Sequence, residues 1–384
     1  MNIGIIGGGA SGVLCAIRLK QRLNINVTIL EQNDRLLKKL MKTGNGKCNI
    51  MNKNIASTFY NDYSLIDGNN INVYQEIESL GILLKELTLG RIYPYSEQSK
   101  TVINVLLRKI KELGINVKLN EEVISINKNN NLFIVKSRNN NYSFDKLIIA
   151  TGSIAQEKTN GYDLIKSLGL NVSKLSPGLV PLKVYEDTKA LSGLRIKTKA
   201  CINSHICEGE LLFKDDGISG IIVLDISRFS NVGDKISFDL MPEYTREDIF
   251  PMLKEGNLEE SLEGIFPKMI SLDILKRSEY NISRVLDVIK NYTFTVKGDM
   301  GFKESQITLG GVYTNEVNKN FESKKIKDLF ILGEVLNVDG ASGGYNLYFA
   351  WLSSIASSNY IINNLSGSES WEVIKLTTIK TWSR

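Results

Sequence analysis

The clearest fold signal in this chain is N-I-G-I-I-G-G-G-A-S-G, at Asn2–Gly12. Its first half is a short apolar run that predicts a buried strand, and its second half is rich in glycine. Apolar side chains at helical spacing follow over Ala10–Leu23, and the run N-V-T-I-L-E at Asn26–Glu31 predicts a second strand. Because a strand, a helix and a strand in this order form a βαβ unit, we expect a parallel sheet.

The glycines of this stretch have the spacing G-x-G-x-x-G, as Gly7, Gly9 and Gly12, and the acidic Glu31 ends the next strand. In this context the pattern predicts a dinucleotide site. Gly7 permits a tight turn, Gly9 lets the backbone approach a pyrophosphate, and Gly12 lets the helix pack closely on the strand. The helix N-terminus favours phosphate charge, and Glu31 can accept hydrogen bonds from ribose hydroxyls. A glycine turn without a ligand is the alternative, and the motif alone leaves both FAD and NAD open.

Two later segments favour FAD. The first is A-T-G at Ala150–Gly152, directly after a predicted strand at Leu147–Ile149. The second is G-E-V-L-N-V-D-G-A-S-G-G-Y-N-L at Gly333–Leu347, between another predicted strand and a predicted helix that starts near Leu347. The N-terminus of that helix can stabilise negative charge on a reduced flavin. A simple turn and a helix-capping loop are the alternative interpretations of these two segments.

The segment M-K-T-G-N-G-K-C-N-I, Met41–Ile50, contains candidate catalytic groups. Lys47 can neutralise phosphate or reduced-flavin charge, and Cys48 carries a thiol. No C-x4-C pair is present, which disfavours a dithiol reductase, and for Cys48 we favour packing or cofactor contact over redox catalysis. The candidate catalytic residues are Lys47, Cys48 and Tyr345.

The complete predicted FAD site draws on segments far apart in the chain, which must fold back over one ligand. The predicted cofactor-binding residues are Gly7, Gly9, Ala10, Ser11, Gly12, Glu31, Gln32, Lys39, Gly44, Gly46, Lys47, Cys48, Asn49, Val123, Ala150, Thr151, Gly152, Gly333, Glu334, Asp339, Gly340, Gly344, Tyr345, Asn346 and Leu347. No metal site is predicted, because the chain has a single histidine, His205, and no Cys-x-x-Cys pair.

The pattern along the chain predicts a discontinuous domain. Strand, helix and β-meander signals occupy residues 1–183, and a strand, a glycine-rich loop and a helix return within 303–384. Between them, 184–243 has short alternating runs typical of a β-rich insert, and 244–302 has the periodicity of a small helical domain. The tail from Ser366 to Arg384 contains Trp371 and Trp382 and lacks a clear period, so no function is predicted for it.

Composition narrows the class of protein. The 384 residues carry a formal charge of +5 with no dense basic tract, so nucleic acid is not an expected partner. No apolar run reaches the length of a membrane span, and no secretory signal precedes the first strand, so we expect a cytoplasmic protein without a membrane contact. Composition leaves the oligomeric state open.

These motifs resemble one bacterial family, the NAD(P)/FAD-dependent oxidoreductases labelled aminoacetone oxidase family FAD-binding enzymes, which includes flavoproteins of bile-acid dehydroxylation. The segments that carry the resemblance are G-G-G-A-S-G at 7–12, T-G-N-G-K-C-N at 43–49, R-I-Y-P-Y-S at 91–96, A-T-G at 150–152, S-P-G-L-V-P-L at 176–182, G-E-L-L-F-K-D-D-G-I-S-G at 209–220, L-G-G-V at 309–312 and the block at 333–347. The resemblance implies an α/β fold: a discontinuous Rossmann-type FAD domain with an inserted β-barrel-like domain and a small helical domain.

The resemblance also implies site residues. By family position, Arg91 and Tyr95 are candidates for the substrate side. The candidates near the flavin ring are Lys47, Cys48, Tyr345 and Asn346. The chain departs from the family pattern at Lys47, where arginine is usual, at Asn337 and Tyr348, and at Lys214 and Asp215. These departures bear on the substrate more than on FAD binding.

The leading hypothesis is a redox enzyme in which FAD accepts a hydride from a donor, with NADH and NADPH as candidates, and passes it to a small organic acceptor or to oxygen. The alternative is an RNA-acting flavoprotein resembling tRNA-modifying enzymes. The lack of a basic segment with interleaved aromatic residues argues against it. A third hypothesis is a flavin-binding protein without turnover.

Overall fold

The computed structural model describes residues 1–253 and 257–366 of the chain. The part of the tail that contains Trp371 and Trp382 lies outside the described residues. The N-terminal part contains, in chain order, β1 (Asn2–Ile6), α1 (Ala10–Arg22), β2 (Asn26–Leu30), β3 (Met51–Asn52), α2 (Val73–Ser79), β4 (Leu84–Glu86), β5 (Arg91–Pro94), α3 (Ser99–Glu112), β6 (Asn116–Lys118), β7 (Val123–Asn129), β8 (Leu132–Ser137), β9 (Asn141–Phe144), β10 (Lys146–Ile149), α4 (Gly161–Ser167) and β11 (Ser176–Gly178).

The middle and C-terminal parts continue this numbering. The middle part contains β12 (Leu182–Val184), β13 (Arg195–Ile202), β14 (His205–Lys214), β15 (Gly217–Ser219), α5 (Ile221–Ile226), β16 (Lys235–Asp239), α6 (Arg246–Ile249), α7 (Leu258–Glu263), α8 (Lys268–Arg277), α9 (Ile282–Lys290) and β17 (Tyr292–Asp299). The C-terminal part adds β18 (Ile307–Leu309), β19 (Leu329–Ile331) and α10 (Tyr345–Ser366).

A parallel five-stranded sheet in the order β19-β10-β1-β2-β6 builds the first body. Its central strands are buried on both faces, which explains their continuous apolar sequence. The predicted βαβ unit and parallel sheet are confirmed. The C-terminal β19 lies beside β10, so residues from both ends of the chain build one sheet. The predicted meander forms a separate antiparallel sheet of β7, β8 and β9.

The long helix α10 packs on α1 next to the sheet. Ser354 Oγ donates to the Ser11 carbonyl at 2.7 Å, and the buried guanidinium of Arg18 donates to Ser358 Oγ at 2.9 Å. Arg18 also forms an ion pair with Glu76 of α2. These contacts hold the end of the glycine-rich loop, where α10 begins, against the start of α1. They therefore bring the first and last predicted cofactor segments together.

The second part of the fold is a closed barrel in the order β12-β15-β14-β13-β16-β17. It confirms the predicted β-barrel-like fold of the insert. Helices α6–α9 lie in sequence between β16 and β17 and share one hydrophobic core with the barrel. β17 falls inside the range 244–302 that the sequence pattern assigned to the helical part, and β12 begins at Leu182, just before the predicted insert. The alternating Tyr292, Phe294 and Val296 are buried, because β17 closes the barrel between β16 and β12.

Candidate active site

A cavity of about 630 Å3 opens where the carboxyl ends of β1, β2 and β10 meet the barrel. Ligands of open parallel sheets bind at this edge, and the volume is in the usual range for a cofactor site. The predicted residues that line it are Gly7, Gly9, Ala10, Ser11, Glu31, Gln32, Lys39, Gly44, Lys47, Asn49, Val123, Ala150, Thr151, Gly152, Glu334, Gly344, Asn346 and Leu347. Segments from both ends of the chain therefore face one space.

The three glycines of the first motif have different structural roles. A Cβ added at Gly7, where φ is +106°, would lie 2.3 Å from the Ala150 carbonyl oxygen, and one at Gly12 would lie 2.1 Å from the Gly7 carbonyl oxygen. A Cβ at Gly9 would meet no atom within 4 Å. Gly7 and Gly12 are thus required by close packing, whereas Gly9 faces the cavity. α1 begins beside Gly9 with no side chain capping its N-terminus, as an anion site needs.

Glu31 is buried in the cavity wall with its carboxylate held by backbone and amide groups. Its Oε2 accepts from the Gly8 N–H at 2.7 Å, and its Oε1 accepts from the N–H and the Nδ2 of Asn33 at 2.8 and 2.7 Å. Gly8 lies between the motif glycines, and a Cβ there would lie 2.2 Å from Leu36 Cδ2. The sequence motif did not single out Gly8, although the unbroken triple glycine is a signal for it.

A second polar cluster joins three distant segments. Lys39 Nζ lies 2.9 Å from Glu334 Oε2, and Ser153 Oγ donates to Glu334 Oε1 at 2.7 Å. All three residues line the cavity. The lysine therefore balances the charge of Glu334, and the cluster ties the loop after β19 to the loops after β2 and β10.

The residues present fit FAD. Asn49 Oδ1 and Thr151 Oγ1 are buried, line the cavity and have no hydrogen-bond partner among the described residues. A buried polar atom without a partner costs roughly 1–3 kcal/mol, so such atoms at a cavity wall indicate a polar ligand. The uncapped helix terminus, the open side of Gly9 and the carboxylate of Glu31 add the phosphate and ribose contacts of a dinucleotide.

The three candidate catalytic residues have different surroundings. Lys47 lines the cavity, and its Nζ pairs with Glu97 Oε2 at 2.9 Å. The Cys48 thiol is fully buried outside the cavity wall, and burial raises its pKa to about 12. Tyr345 is buried and stacks on Phe59 with 4.4 Å between ring centroids. The surroundings of Cys48 favour packing over redox catalysis.

Seven predicted cofactor contacts lie outside the cavity wall, and most of them pack other parts of the site. They are Gly12, Gly46, Cys48, Gly333, Asp339, Gly340 and Tyr345. The carboxylate of Asp339, one of these residues, pairs with the buried Arg228 at 3.1 Å. Gly333 sits against α1, where a Cβ would lie 2.2 Å from Ser11 Oγ.

The cavity wall contains further residues that the predicted site did not include. They are Leu179, Gln306 and Ile307 at the β11–β18 pair, Ile221 of α5, and Ala341 and Ser342 of the glycine-rich loop. No sequence signal distinguishes Leu179, Ile221 or Ile307 from core residues, since each faces the cavity only through domain packing. Of the two residues expected on the substrate side, Arg91 lines the cavity, whereas Tyr95 is exposed and lies outside its wall.

Comparison with known proteins identifies the family. The sequence model of the family described as HI0933-like protein Rossmann domain matches residues 1–360. The chain belongs to the HI0933-like Rossmann family. The resemblance expected from the sequence motifs is thus confirmed, and this HI0933-like chain is an FAD-dependent oxidoreductase.

Relatives with two different named activities cover nearly the whole chain. A 3-dehydro-bile acid Δ(4,6)-reductase of Clostridium scindens is 30% identical over 91% of the chain and 96% of the relative. A ribosomal RNA dihydrouridine synthase of Haemophilus influenzae is 26% identical over 92% and 96%. The crystal structure of a 3-ketosteroid-Δ4-(5α)-dehydrogenase of Rhodococcus jostii has a TM-score of 0.53 and 12% identity, covering 94% of this chain and 96% of that one. Because the two sequences are only 12% identical, this structural similarity supports the fold alone.

Residues 1–253 and 257–366 contain neither a candidate membrane-spanning helix nor a candidate metal site. None of their helices combines the length and the apolar character that crossing a membrane requires. Within the same residues, no cluster of three or more histidine, cysteine, aspartate or glutamate side chains is arranged to hold a metal ion.

Proposed function

We propose that this HI0933-like protein reduces a carbon–carbon double bond conjugated to a carbonyl group in a small organic molecule, with NADH or NADPH as the hydride donor. The observation that carries the proposal is the mixed lining of the cavity. Leu179 after β11, Ile221 of α5 and Ile307 of β18 provide apolar side chains, and the cationic Arg91 lines the same cavity. This combination suits a hydrophobic molecule with one carbonyl oxygen.

The relatives support this chemistry. The Clostridium scindens relative is named as a reductase of 3-dehydro-bile acids at the 4,6 positions, which describes double bonds beside a 3-oxo group. Dihydrouridine differs from uridine by reduction of a ring double bond that is also conjugated to a carbonyl, so the rRNA-acting relatives share the bond type. The proposed reaction is the chemistry that these two names have in common.

Particular residues would hold FAD in this cavity. We infer that Gly9 and the first turn of α1 bind the pyrophosphate and that Glu31 binds a ribose. The start of α10, with Asn346 and Leu347, would contact the flavin. When bound, FAD supplies the hydride that reduces the acceptor. The protein residues orient the acceptor and exclude water from the cavity.

Arg91 is the residue that we assign to the acceptor's carbonyl. Its side chain makes no hydrogen bond or ion pair with any other described side chain, and it lines the cavity half-buried. A guanidinium donating to the carbonyl oxygen would stabilise the negative charge that develops there as hydride adds to the far carbon of the double bond. Lysine would replace a planar fork by a single point charge and so act less well.

The test is anaerobic reduction of the purified holoprotein. We expect NADH or NADPH to bleach the visible flavin band, and 2-cyclohexen-1-one or a 3-oxo-4-ene steroid to restore it while the enone absorbance falls. Arg91→Gln should slow only this second half-reaction, with Arg108→Gln on the exposed face of α3 as the control. A flavin that no donor bleaches would indicate binding without turnover. A reduced flavin that only oxygen reoxidises would indicate an oxidase.

A second candidate acceptor is uridine in ribosomal RNA. Two relatives that span nearly the whole chain carry that activity in their names, and the net charge of +5 is compatible with RNA. An unmodified rRNA transcript belongs in the acceptor panel, with a gain of two hydrogens in a uridine as the readout. Reoxidation by this transcript and by no small enone would replace the small-molecule proposal with the RNA one.

A further inference from the structure

A carboxylate of the barrel reaches the glycine-rich loop at the edge of the cavity. Asp225 lies near the end of α5. Its Oδ1 accepts from the Ser342 N–H at 2.6 Å, and its Oδ2 accepts from Ser342 Oγ at 2.7 Å. Ser342 lines the cavity, as does Ile221 at the start of α5. The two hydrogen bonds orient the Ser342 hydroxyl at the junction between the FAD domain and the barrel.

Charged and titratable groups near Asp225 come from its own segment and from three other elements. Arg228 follows on the same segment, Arg91 comes from β5, Tyr345 from α10 and Cys207 from β14. Arg228 is itself paired with Asp339, at 3.1 Å. Burial raises the pKa of Asp225 above its ordinary value, although the Ser342 hydrogen bonds and the charges of Arg228 and Arg91 act in the opposite direction. The carboxyl can therefore take up a proton nearer neutral pH than an exposed aspartate would.

Protonation of Asp225 changes which way the Ser342 hydroxyl points. When Asp225 is a carboxylate, the Ser342 O–H donates to it, and only lone pairs of Oγ face the cavity. When Asp225 is protonated, its own O–H can donate to Ser342 Oγ, and the hydroxyl hydrogen of Ser342 is free to point into the cavity. The contact therefore allows two positions for the hydrogen of the Ser342 hydroxyl, one on the Asp225 side and one on the cavity side.

We propose that Ser342 donates the proton that completes the reduction of the double bond, and that Asp225 replaces that proton. This inference rests on the proposed function. Reduction of the double bond adds one hydride and one proton. Bound FAD, once reduced by the donor, would supply the hydride for the C–H bond at the far carbon and would be left oxidised. The carbon next to the carbonyl takes the proton from Ser342 Oγ, which receives one from Asp225, and the resulting carboxylate is reprotonated from solvent.

The experiment measures the two half-reactions separately in stopped flow, with NADH or NADPH as donor and 2-cyclohexen-1-one, or the best acceptor of the panel, as oxidant. We expect Ser342→Ala and Asp225→Asn to slow reoxidation by the enone by about 10²-fold or more, the usual contribution of a general acid. Flavin reduction by the donor should change little. Ser342→Thr keeps the hydroxyl and should restore most of the rate. Asp239→Asn is the control, because Asp239 is a half-buried barrel carboxylate paired with Lys290.

Two readouts separate proton delivery from a structural role. Reoxidation by ferricyanide requires no proton on carbon, so it should remain fast in Ser342→Ala if the flavin stays in place. In the wild-type protein the enone rate should fall as pH rises through the pKa of Asp225, because the carboxylate cannot supply the proton. This fall should vanish in Asp225→Asn.

The possible outcomes are distinguishable. If the wild-type protein reduces the enone and Ser342→Ala matches it, the relay is wrong while the proposed function stands. If ferricyanide reoxidation slows as much as enone reoxidation, the contact is structural and the relay is again wrong. If the wild-type protein reduces no acceptor of the panel, the proposed function fails and the relay fails with it. Ser342→Ala removes one oxygen atom, so it serves as the test even if Asp225→Asn does not fold.

Discussion

Gly9→Ala should separate cofactor binding from folding in this protein. Gly9 has φ of −80° and ψ of −169°, an extended conformation that alanine adopts without strain, and a Cβ there meets no atom within 4 Å. The free energy of unfolding of the apoprotein should therefore change by less than about 0.5 kcal/mol. The new methyl group would instead occupy the space through which a pyrophosphate approaches the start of α1.

The expected loss in FAD affinity follows from hydrogen bonding. A phosphate pushed away from the helix N-terminus loses at least one charge-assisted hydrogen bond, which is typically about 1.5–3 kcal/mol. At about 1.4 kcal/mol per tenfold, this corresponds to a Kd roughly 10- to 150-fold weaker. Gly12→Ala is the matched comparison. Its Cβ would lie 2.1 Å from the Gly7 carbonyl oxygen, so it should destabilise the apoprotein by about 1–3 kcal/mol through backbone displacement.

The assay combines urea unfolding of the apoproteins with FAD titration followed by flavin fluorescence. Gly9→Ala should have the wild-type unfolding midpoint and a weaker Kd, and Gly12→Ala should have a lower midpoint. Wild-type FAD affinity in Gly9→Ala would refute the placement of the pyrophosphate at α1. A large loss of stability in the same variant would refute the inference that Gly9 faces open space.

Two further predictions concern buried groups. At pH 8 a disulfide reagent should modify the exposed Cys201 rapidly and Cys48 only after unfolding. Burial raises the pKa of Cys48 from 9.0 to about 12, so its thiolate fraction is roughly 1,000-fold smaller than that of a cysteine with the ordinary pKa. Rapid modification of Cys48 in the native protein would contradict its burial. In urea unfolding, Arg228→Ala should lower the free energy of unfolding by about 3–5 kcal/mol, because it leaves the Asp339 carboxylate buried and unpaired. A double variant that also carries Asp339→Ala should recover part of that loss, because the unpaired charge is then absent. A double variant no more stable than Arg228→Ala would contradict this explanation.

Local sequence was sufficient to predict the glycine cradle. Gly7, Gly9 and Gly12 act through a turn and a helix terminus formed by neighbouring residues, so their spacing predicts their structural roles. The central strands of the parallel sheet are continuous apolar runs because both of their faces are covered, by α1 on one side and by the antiparallel sheet of β7, β8 and β9 on the other, and that pattern is readable without tertiary contacts. β17 was harder to predict, because it follows a helical stretch and its strand partners, β12 and β16, are known only from the folded barrel.

The loop carboxylates illustrate where local reasoning ends. Asp339 lies in a glycine-rich cofactor segment, and its sequence neighbours predict a cofactor contact. Arg228, 111 residues away, instead pairs with it at the barrel interface. Ser342 lies in the same glycine-rich segment, but its partner Asp225, 117 residues away, lies in no motif. The direction of a loop side chain depends on which distant charge packs nearby, and no local pattern encodes that.

Short segments of the sequence were enough to predict the glycine cradle, the parallel sheet and the family, because these depend on backbone geometry and hydrophobic period over few residues. The tertiary structure was needed to show that Leu179, Ile221 and Ile307 line the cavity together with the motif residues. It also decided that Cys48 is buried away from it and that Ser342 faces it with Asp225 behind. Those features arise from contacts between elements more than a hundred residues apart, whose energies depend on burial and charge in the folded state.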